Sequence, residues 1–164
     1  MTTEPYIYEE LVSSNSIRVF DLSPSSKGSG IFGILRQVSL PEDADTSSAL
    51  SYAALSYTWG SPNDKHWRIW VDGKPVLVRD NLYTALQTLR DQQISTTLWI
   101  DALCINQNDV YEKNHQVGLM AQIYRTAERV KVWLGPEDEN STKVAEFLRH
   151  GGAPLLVSIQ LEHH

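Results

Sequence analysis

The most constraining feature of the sequence is a strand, a helix and a second strand between residues 98 and 135. The apolar run LWIDA (98–102) comes first, apolar positions at helical spacing follow over 109–127, and the β-branched run RVKVWLG (129–135) closes the segment. Two strands joined through a helix lie parallel in one sheet, because the helix carries the chain back to the edge from which the first strand started. This βαβ unit predicts an α/β fold with an at least partly parallel sheet.

Further strands and a hairpin are predicted in the first half of the chain. Apolar or alternating runs at 17–22, 31–40 and 52–59 predict three strands. Residues 68–78 predict a β-hairpin, because Asp72-Gly73 is a favoured two-residue turn between apolar runs. The hairpin would make the sheet mixed or add a flap at its edge.

Three helices are predicted. Asp80 or Asn81 is expected to cap the first, which places Leu82, Leu86 and Leu89 on one face. The second begins after Asp109, and the third spans 141–149. The apolar stripe expected on the second helix consists of Val117, Met120, Ala121, Tyr124 and Ala127.

Length and composition favour a single globular domain over residues 1–160, with Leu161–His164 (LEHH) resembling the start of a histidine tag. The net charge of −6 disfavours non-specific nucleic-acid binding. No apolar run approaches the length of a membrane span, and the first residues lack a secretory signal. Cys104 is the only cysteine, so no internal disulfide can form, and we expect a cytoplasmic protein.

Polar or glycine-bearing clusters follow three of the predicted strands, at 57–60, 101–107 and 135–138. In open α/β sheets, ligands bind beyond the carboxyl ends of the strands. If these strands are parallel neighbours, the three clusters converge on one rim. We therefore expect the binding site there.

Both carboxylates of this region have a structural as well as a functional interpretation. Glu112 stands three residues after the predicted cap Asp109, which is the spacing of a capping box, and spacing alone favours capping over catalysis. Asp101 ends an apolar strand, where a carboxylate must be paired or face water. It could accept loop N–H groups or contact a ligand, and the sequence does not separate the two.

The other candidate side chains are also ambiguous. Cys104 could be a nucleophile with His115 as its base, but its apolar neighbours favour burial. Trp59 and Gly60 could form a stacking platform that a ring approaches closely, or a core tryptophan beside a turn. No CxxC or HExxH motif is present, so no metal site is predicted.

Three blocks together resemble a known family. SYTWG (56–60), LWIDALCINQ (98–107) and the segment AQIY…VWLG (121–135) occur in the order typical of the fungal HET (heterokaryon incompatibility) domain, and the resemblance covers 52–148. It implies an effector module of programmed cell death after fusion of incompatible fungi, often joined to sensor domains. It also implies a distant TIR-like relationship, hence a flavodoxin-like, mostly parallel sheet flanked by helices, with the hairpin added.

Because some TIR domains hydrolyse NAD+ with a glutamate near a helix start, the resemblance implies an NAD+ glycohydrolase that needs no cofactor. Glu112 would stabilise the oxocarbenium-like transition state, and Asp101 would hold the ribose or orient the loop. The expected substrate-binding residues are Tyr57, Trp59, Gly60, Cys104, Asn106 and Gln107.

Other TIR domains act only in assembly, which leaves a second hypothesis. The chain would then be a non-enzymatic adaptor that signals by self-association as a homo-oligomer, nucleated by the sensor domains of its parent protein. A cysteine hydrolase using Cys104 and His115 is a third and more remote hypothesis.

Overall fold

The computed structural model describes residues 4–25, 28–42, 50–92, 96–136 and 156–160. Within these ranges, eight strands form one sheet in the order β5-β4-β2-β1-β6-β3-β7-β8. The strands are β1 (Ser16–Leu22), β2 (Phe32–Ser39), β3 (Leu50–Tyr57), β4 (His66–Val71), β5 (Lys74–Arg79), β6 (Thr96–Trp99), β7 (Ala127–Trp133) and β8 (Leu156–Gln160). The helices are α1 (Asp80–Asp91), the single turn α2 (Asp101–Cys104) and α3 (Val110–Thr126).

The sheet is mixed, so the expectation of a mostly parallel sheet was wrong. Parallel pairing joins β2 to β4, β3 to β6 and β3 to β7. Antiparallel pairing joins β1 to β2, β1 to β6, β4 to β5 and β7 to β8. Strands that follow one another through short connections can only run antiparallel, and several of the strands outside the βαβ unit are connected in this way.

Three adjacent strands, β6-β3-β7, are all parallel, and they confirm the predicted βαβ unit. Ala54 of β3 is paired with Trp99 of β6 on one side and with Val130 of β7 on the other. The run LWIDA does not remain extended to its end, however. The N–H groups of Leu103 and Cys104 both donate to the Ile100 carbonyl, so the chain turns into α2 directly after β6.

The hairpin and α1 form as predicted, but the helix cap does not. Asp72 (φ 51°) and Gly73 (φ 74°) occupy the left-handed turn positions that the Asp-Gly dipeptide favours. Arg79 stands at the cap position and offers no side-chain acceptor, while Asp80 is already the first helical residue. The Asp80 carboxylate accepts the indole N–H of Trp67 instead, which fastens the start of α1 to β4.

The orientation of α3 differs from the predicted apolar stripe. Asp109 caps the helix as expected, accepting the N–H groups of Tyr111 and Glu112. Val117 is 52% exposed, however, whereas Gln116 is fully buried and donates its amide to the carbonyl of Ser16 on β1. The helix face that carries Gln116 therefore packs inward, because β1 offers it a hydrogen-bonding partner.

The ends of the chain complete this description. The C-terminal segment 151–160, which periodicity did not assign, contributes β8 beside β7. The predicted helix at 141–149 and the LEHH residues lie outside the described residues. In the described ranges, none of the helices is long and apolar enough to cross a membrane.

Candidate functional site

A cavity of about 270 Å³ opens beyond the carboxyl ends of β3 and β6. Its volume lies near the lower end of small-molecule pockets, so it encloses a group smaller than a dinucleotide. Aromatic, aliphatic and polar side chains share the lining, which consists of Tyr8, Tyr57, Trp59, His66, Val76, Leu77, Val78, Arg79, Leu82, Ala102, Gln107 and Asn108.

Asp101 does not itself line this cavity, but its carboxylate bonds to residues that do and joins two of the sequence blocks. Its carboxylate accepts the indole N–H of Trp59 at 2.8 Å through one oxygen and the N–H of Ala102 at 2.7 Å through the other. The hydroxyl of Tyr57 interacts with this carboxylate in a way that favours its ionised form. Burial nevertheless raises the pKa of Asp101 above its ordinary value, and these hydrogen bonds oppose the rise. Asp101 is thus an oriented, half-buried carboxylate.

The ring face of Trp59 lies near a cation. The Arg79 guanidinium lies 5.3 Å from the centre of an indole ring of Trp59 and donates to the carbonyl of Gly60 at 3.2 Å. Gly60 has φ +74°, and a Cβ built there would lie 2.4 Å from a carboxylate oxygen of Asp64. Glycine is therefore required at this position for the turn itself. Because Gly60 does not line the cavity, its predicted ligand contact has no support in the geometry.

The N-terminal segment supplies Tyr8, a cavity residue that sequence reasoning missed. The Tyr8 hydroxyl donates to the Leu103 carbonyl at 2.8 Å, and its ring lies 4.9 Å from the Arg18 guanidinium. Arg18 also donates to the carbonyl of Glu9, so the segment is held at two successive residues. No periodic pattern in residues 4–15 could have indicated this, since the contacts are made by an irregular chain.

Glu112 does not line the cavity but lies beyond Tyr8, in an ion pair with Arg18. The two carboxylate oxygens of Glu112 accept hydrogen bonds from the two terminal guanidinium nitrogens of Arg18, at 2.6 and 3.1 Å. The oxygen at 2.6 Å from Arg18 also accepts the N–H of Asn106 at 2.7 Å. The side chains are 11% and 3% exposed. Glu112 therefore reaches past the cap residue Asp109, and its carboxylate holds the 101–107 loop against β1.

Cys104 is fully buried, which corrects its placement among the substrate-binding residues. Its sulfur accepts the N–H of Ile100, and burial raises the pKa of the thiol to about 12. His115 is exposed and its ring contacts the carbonyl of Ser14. The two side chains are engaged elsewhere, and a thiolate is the reactive form of cysteine, so the geometry does not support a cysteine hydrolase.

The two predicted amide residues are separated by the fold. Gln107 lines the cavity and donates to the Asp101 carbonyl at 2.9 Å. Asn106 is absent from the cavity lining, and its side-chain oxygen accepts the N–H of Asn108, which closes a local turn. Tyr57, Trp59 and Gln107 are thus brought together beside Asp101, whereas the predicted role of Asn106 becomes a structural one.

The end of β7, which precedes the third cluster, is joined to the first cluster through α1. Asn81 donates to the carbonyl of Thr58 and accepts the indole N–H of Trp133 at 2.8 Å. This confirms that the ends of β3 and β7 lie close together. Residues 137 and 138 of the cluster lie outside the described residues.

Sequence reasoning missed four polar cavity residues, which are Arg79, His66, Tyr8 and Asn108. The first two belong to the hairpin, whose position in the sheet periodicity could not predict. A signal for Arg79 exists in hindsight, because it is the last residue of β5 and directly precedes α1. Across the described ranges, no cluster of three or more His, Cys, Asp or Glu side chains could hold a metal ion.

Comparisons with known proteins agree with the three sequence blocks. A family model described as "Heterokaryon incompatibility protein (HET)" matches residues 52–156. The chain is 40% identical over 129 residues to a Neurospora crassa protein named "Heterokaryon incompatibility protein 6, OR allele". That alignment covers 71% of this chain and 19% of the relative, so the chain spans about a fifth of the relative's length. No solved structure matches the chain.

Proposed function

The chain belongs to the heterokaryon incompatibility (HET) family, and from this premise we propose that it is a cell-death effector domain that hydrolyses NAD+. The relative's name supports the incompatibility role. Hydrolysis of the nicotinamide–ribose bond would deplete a central metabolite and so account for cell death. NAD+ is the substrate in this proposal, and no cofactor is required.

The parallel block supports the TIR-like part of the proposal. Along the chain β3 comes first, β6 second and β7 third, so their order β6-β3-β7 is the 2-1-3 order found at one end of flavodoxin-like sheets. In such sheets the connections reverse direction beside the first strand, and ligands bind beyond its carboxyl end. The cavity residues Tyr57 and Trp59 occupy the corresponding place at the end of β3.

The observation that carries the proposal is the Asp101 carboxylate, which bonds to the lining residues Trp59 and Ala102 and so lies directly beside an aromatic cavity. Cleavage of the nicotinamide–ribose bond develops positive charge on the ribose, and an adjacent carboxylate stabilises that charge in a partly desolvated site. Nicotinamide leaves as a neutral molecule from its cationic form, so the leaving group needs no general acid. One ionised carboxylate can therefore serve the reaction.

In this proposal Asp101 is the catalytic carboxylate and Glu112 a positioning residue. Glu112 is 11% exposed and its charge is balanced by the two-bond pair with the buried Arg18, so it is not free to stabilise charge on a substrate. It acts on the site by fixing the loop that carries Asp101. Tyr57 and Trp59 form the aromatic wall, and Gln107 supports the Asp101 main chain.

The test is release of nicotinamide from NAD+ by the purified chain, followed by chromatography at dilute and high protein concentration. We expect product from the wild type, with loss of roughly a hundredfold or more in Asp101→Asn. Asp72→Asn is the matched control, because it makes the same chemical change in an exposed turn that also accepts asparagine. Absence of product from folded wild type at every concentration would refute the proposal.

A second candidate function, assembly without catalysis, is favoured by one specific observation on α3. Val110, Tyr111 and Val117 are large apolar side chains that are 66%, 89% and 52% exposed. Exposed apolar groups on a helix face are typical of interaction sites. The proposed occupant is a second copy of this chain. Sedimentation velocity should then show an oligomer in the wild type and a monomer in Val117→Lys, whereas a monomeric wild type would exclude this candidate.

A further inference from the structure

Arg79 differs from several other arginines of the chain in lacking a carboxylate partner. Arg18, Arg36, Arg90 and Arg129 each pair with a carboxylate within 3 Å. Within the described ranges no such partner is found for Arg79, and its one recorded hydrogen bond goes to the neutral carbonyl of Gly60. A guanidinium has five N–H donors, so most of the Arg79 hydrogen-bonding capacity remains for a ligand.

Arg79 lines the cavity, so its unused N–H donors are available to a ligand there. Among the described residues of the lining, Arg79 is the one that is permanently charged. It is half-buried, and packing of its guanidinium near the Trp59 ring limits the orientations that the side chain can adopt. A cation held in place beside an aromatic wall is suited to an anion that is attached to a planar group.

We infer that Arg79 is an anion-recognition residue and that the cavity takes a phosphorylated nucleoside, with phosphate on Arg79 and the planar base near Trp59. This inference rests on the proposed function, because it assigns a place to one phosphate of the proposed substrate. A guanidinium binds phosphate through two parallel N–H···O bonds, which fix distance as well as charge.

The Asp101 carboxylate, which is bonded to Trp59 beside the cavity, gives the site a second selectivity. Asp101 and Arg79 approach Trp59 from different sides, one through the indole N–H and the other near the ring face. A ligand with positive charge near its sugar and negative charge at its phosphate complements both groups. Nicotinamide mononucleotide has this distribution, whereas nicotinamide riboside has the positive charge alone.

The closing experiment measures binding of these two probes to the full chain by quenching of tryptophan fluorescence. Wild type should bind nicotinamide mononucleotide more tightly than nicotinamide riboside, by roughly ten- to a hundredfold, as expected for charge-assisted hydrogen bonds to one phosphate. Arg79→Gln should lose that difference and leave riboside affinity within about threefold of wild type. Arg125→Gln is the matched control, because Arg125 is exposed in the last turn of α3.

The binding outcomes are independent of turnover. Equal affinity of wild type for the two probes, or an undiminished preference in Arg79→Gln, would overturn the inference even if nicotinamide is released from NAD+. Preference for the mononucleotide without any NAD+ hydrolysis would uphold the inference and refute the proposed reaction. Competition by inorganic pyrophosphate that equals competition by the mononucleotide would show a general anion site and overturn the nucleoside assignment.

Discussion

Replacement of Glu112 by alanine should destabilise the protein strongly, because it leaves the Arg18 charge buried without its counter-ion. The Arg18 side chain is 3% exposed, and both of its terminal nitrogens bond to the Glu112 carboxylate. Breaking a buried ion pair from one side costs about 3–5 kcal/mol. Since small domains unfold with about 5–15 kcal/mol in total, the loss is a large part of the stability.

Urea denaturation, followed by tryptophan fluorescence, measures this loss. With a slope of about 2 kcal/mol per M, the unfolding midpoint of Glu112→Ala should fall by about 1.5–2.5 M. The matched control is Glu128→Ala, which removes a glutamate from the exposed ion pair with Arg129, where both side chains are more than 40% exposed. Exposed pairs contribute about 0–1 kcal/mol, so this midpoint should move little.

A double replacement separates charge burial from lost packing. Arg18→Met combined with Glu112→Leu removes both charges, and apolar replacement of a buried pair is often neutral or stabilising. Its midpoint should therefore lie above that of Glu112→Ala. If Glu112→Ala unfolded at the same urea concentration as Glu128→Ala, the assignment of Glu112 as a positioning residue would fail. A catalytic role of Glu112 would then be favoured again.

Three further predictions concern the cavity and its surroundings. Burial raises the Asp101 pKa, so the folded chain keeps the Asp101 proton to higher pH than the unfolded chain does. The free energy of unfolding of the wild type should therefore fall relative to that of Asp101→Asn as the pH rises. The fall should begin near the ordinary aspartate pKa and end above the raised pKa. Urea midpoints across that pH range test the sign, and a relative gain for wild type would contradict it. Cys104 is fully buried, and burial raises the pKa of its thiol to about 12. Its reaction with iodoacetamide, followed by mass spectrometry, should be at least about a hundredfold slower in native than in unfolded protein. Equal rates would place the thiol at the surface. Gly60→Ala should lower the free energy of unfolding by more than Gly73→Ala, for which we expect a loss of roughly 1–2 kcal/mol. Both glycines have φ +74°, but only at position 60 would an added Cβ also press against Asp64. Equal thermal midpoints of the two variants would argue against that contact.

Local sequence signals predicted most elements with boundaries close to those observed. The hairpin followed from Asp72-Gly73, the α3 cap from Asp109, and the strands from runs of β-branched and apolar residues. These signals succeed because turn geometry and capping involve only neighbouring residues. The α1 cap failed for the opposite reason, since Asp80 is engaged by Trp67 of a different element.

The site was also predicted only in part, for the same reason. Strand-end reasoning placed Tyr57, Trp59 and Gln107 together, because parallel neighbours end at one edge of the sheet. It could not show that Asp101 bonds to the cavity residue Trp59 while Glu112 pairs with Arg18. Both carboxylates follow the same strand, and only the arrangement of β1 and the N-terminal segment distinguishes their surroundings.

The sequence by itself determined the βαβ unit, the hairpin turn and the family, because each depends on spacing within one continuous stretch. Tertiary structure alone decided which face of α3 is buried and which carboxylate bonds to residues that line the cavity. Arg18 and Glu112 are 94 residues apart in sequence, and Tyr8 bonds to Leu103 across 95 residues. No local pattern encodes such pairings, since burial and charge balance at these positions arise only when distant segments share one sheet.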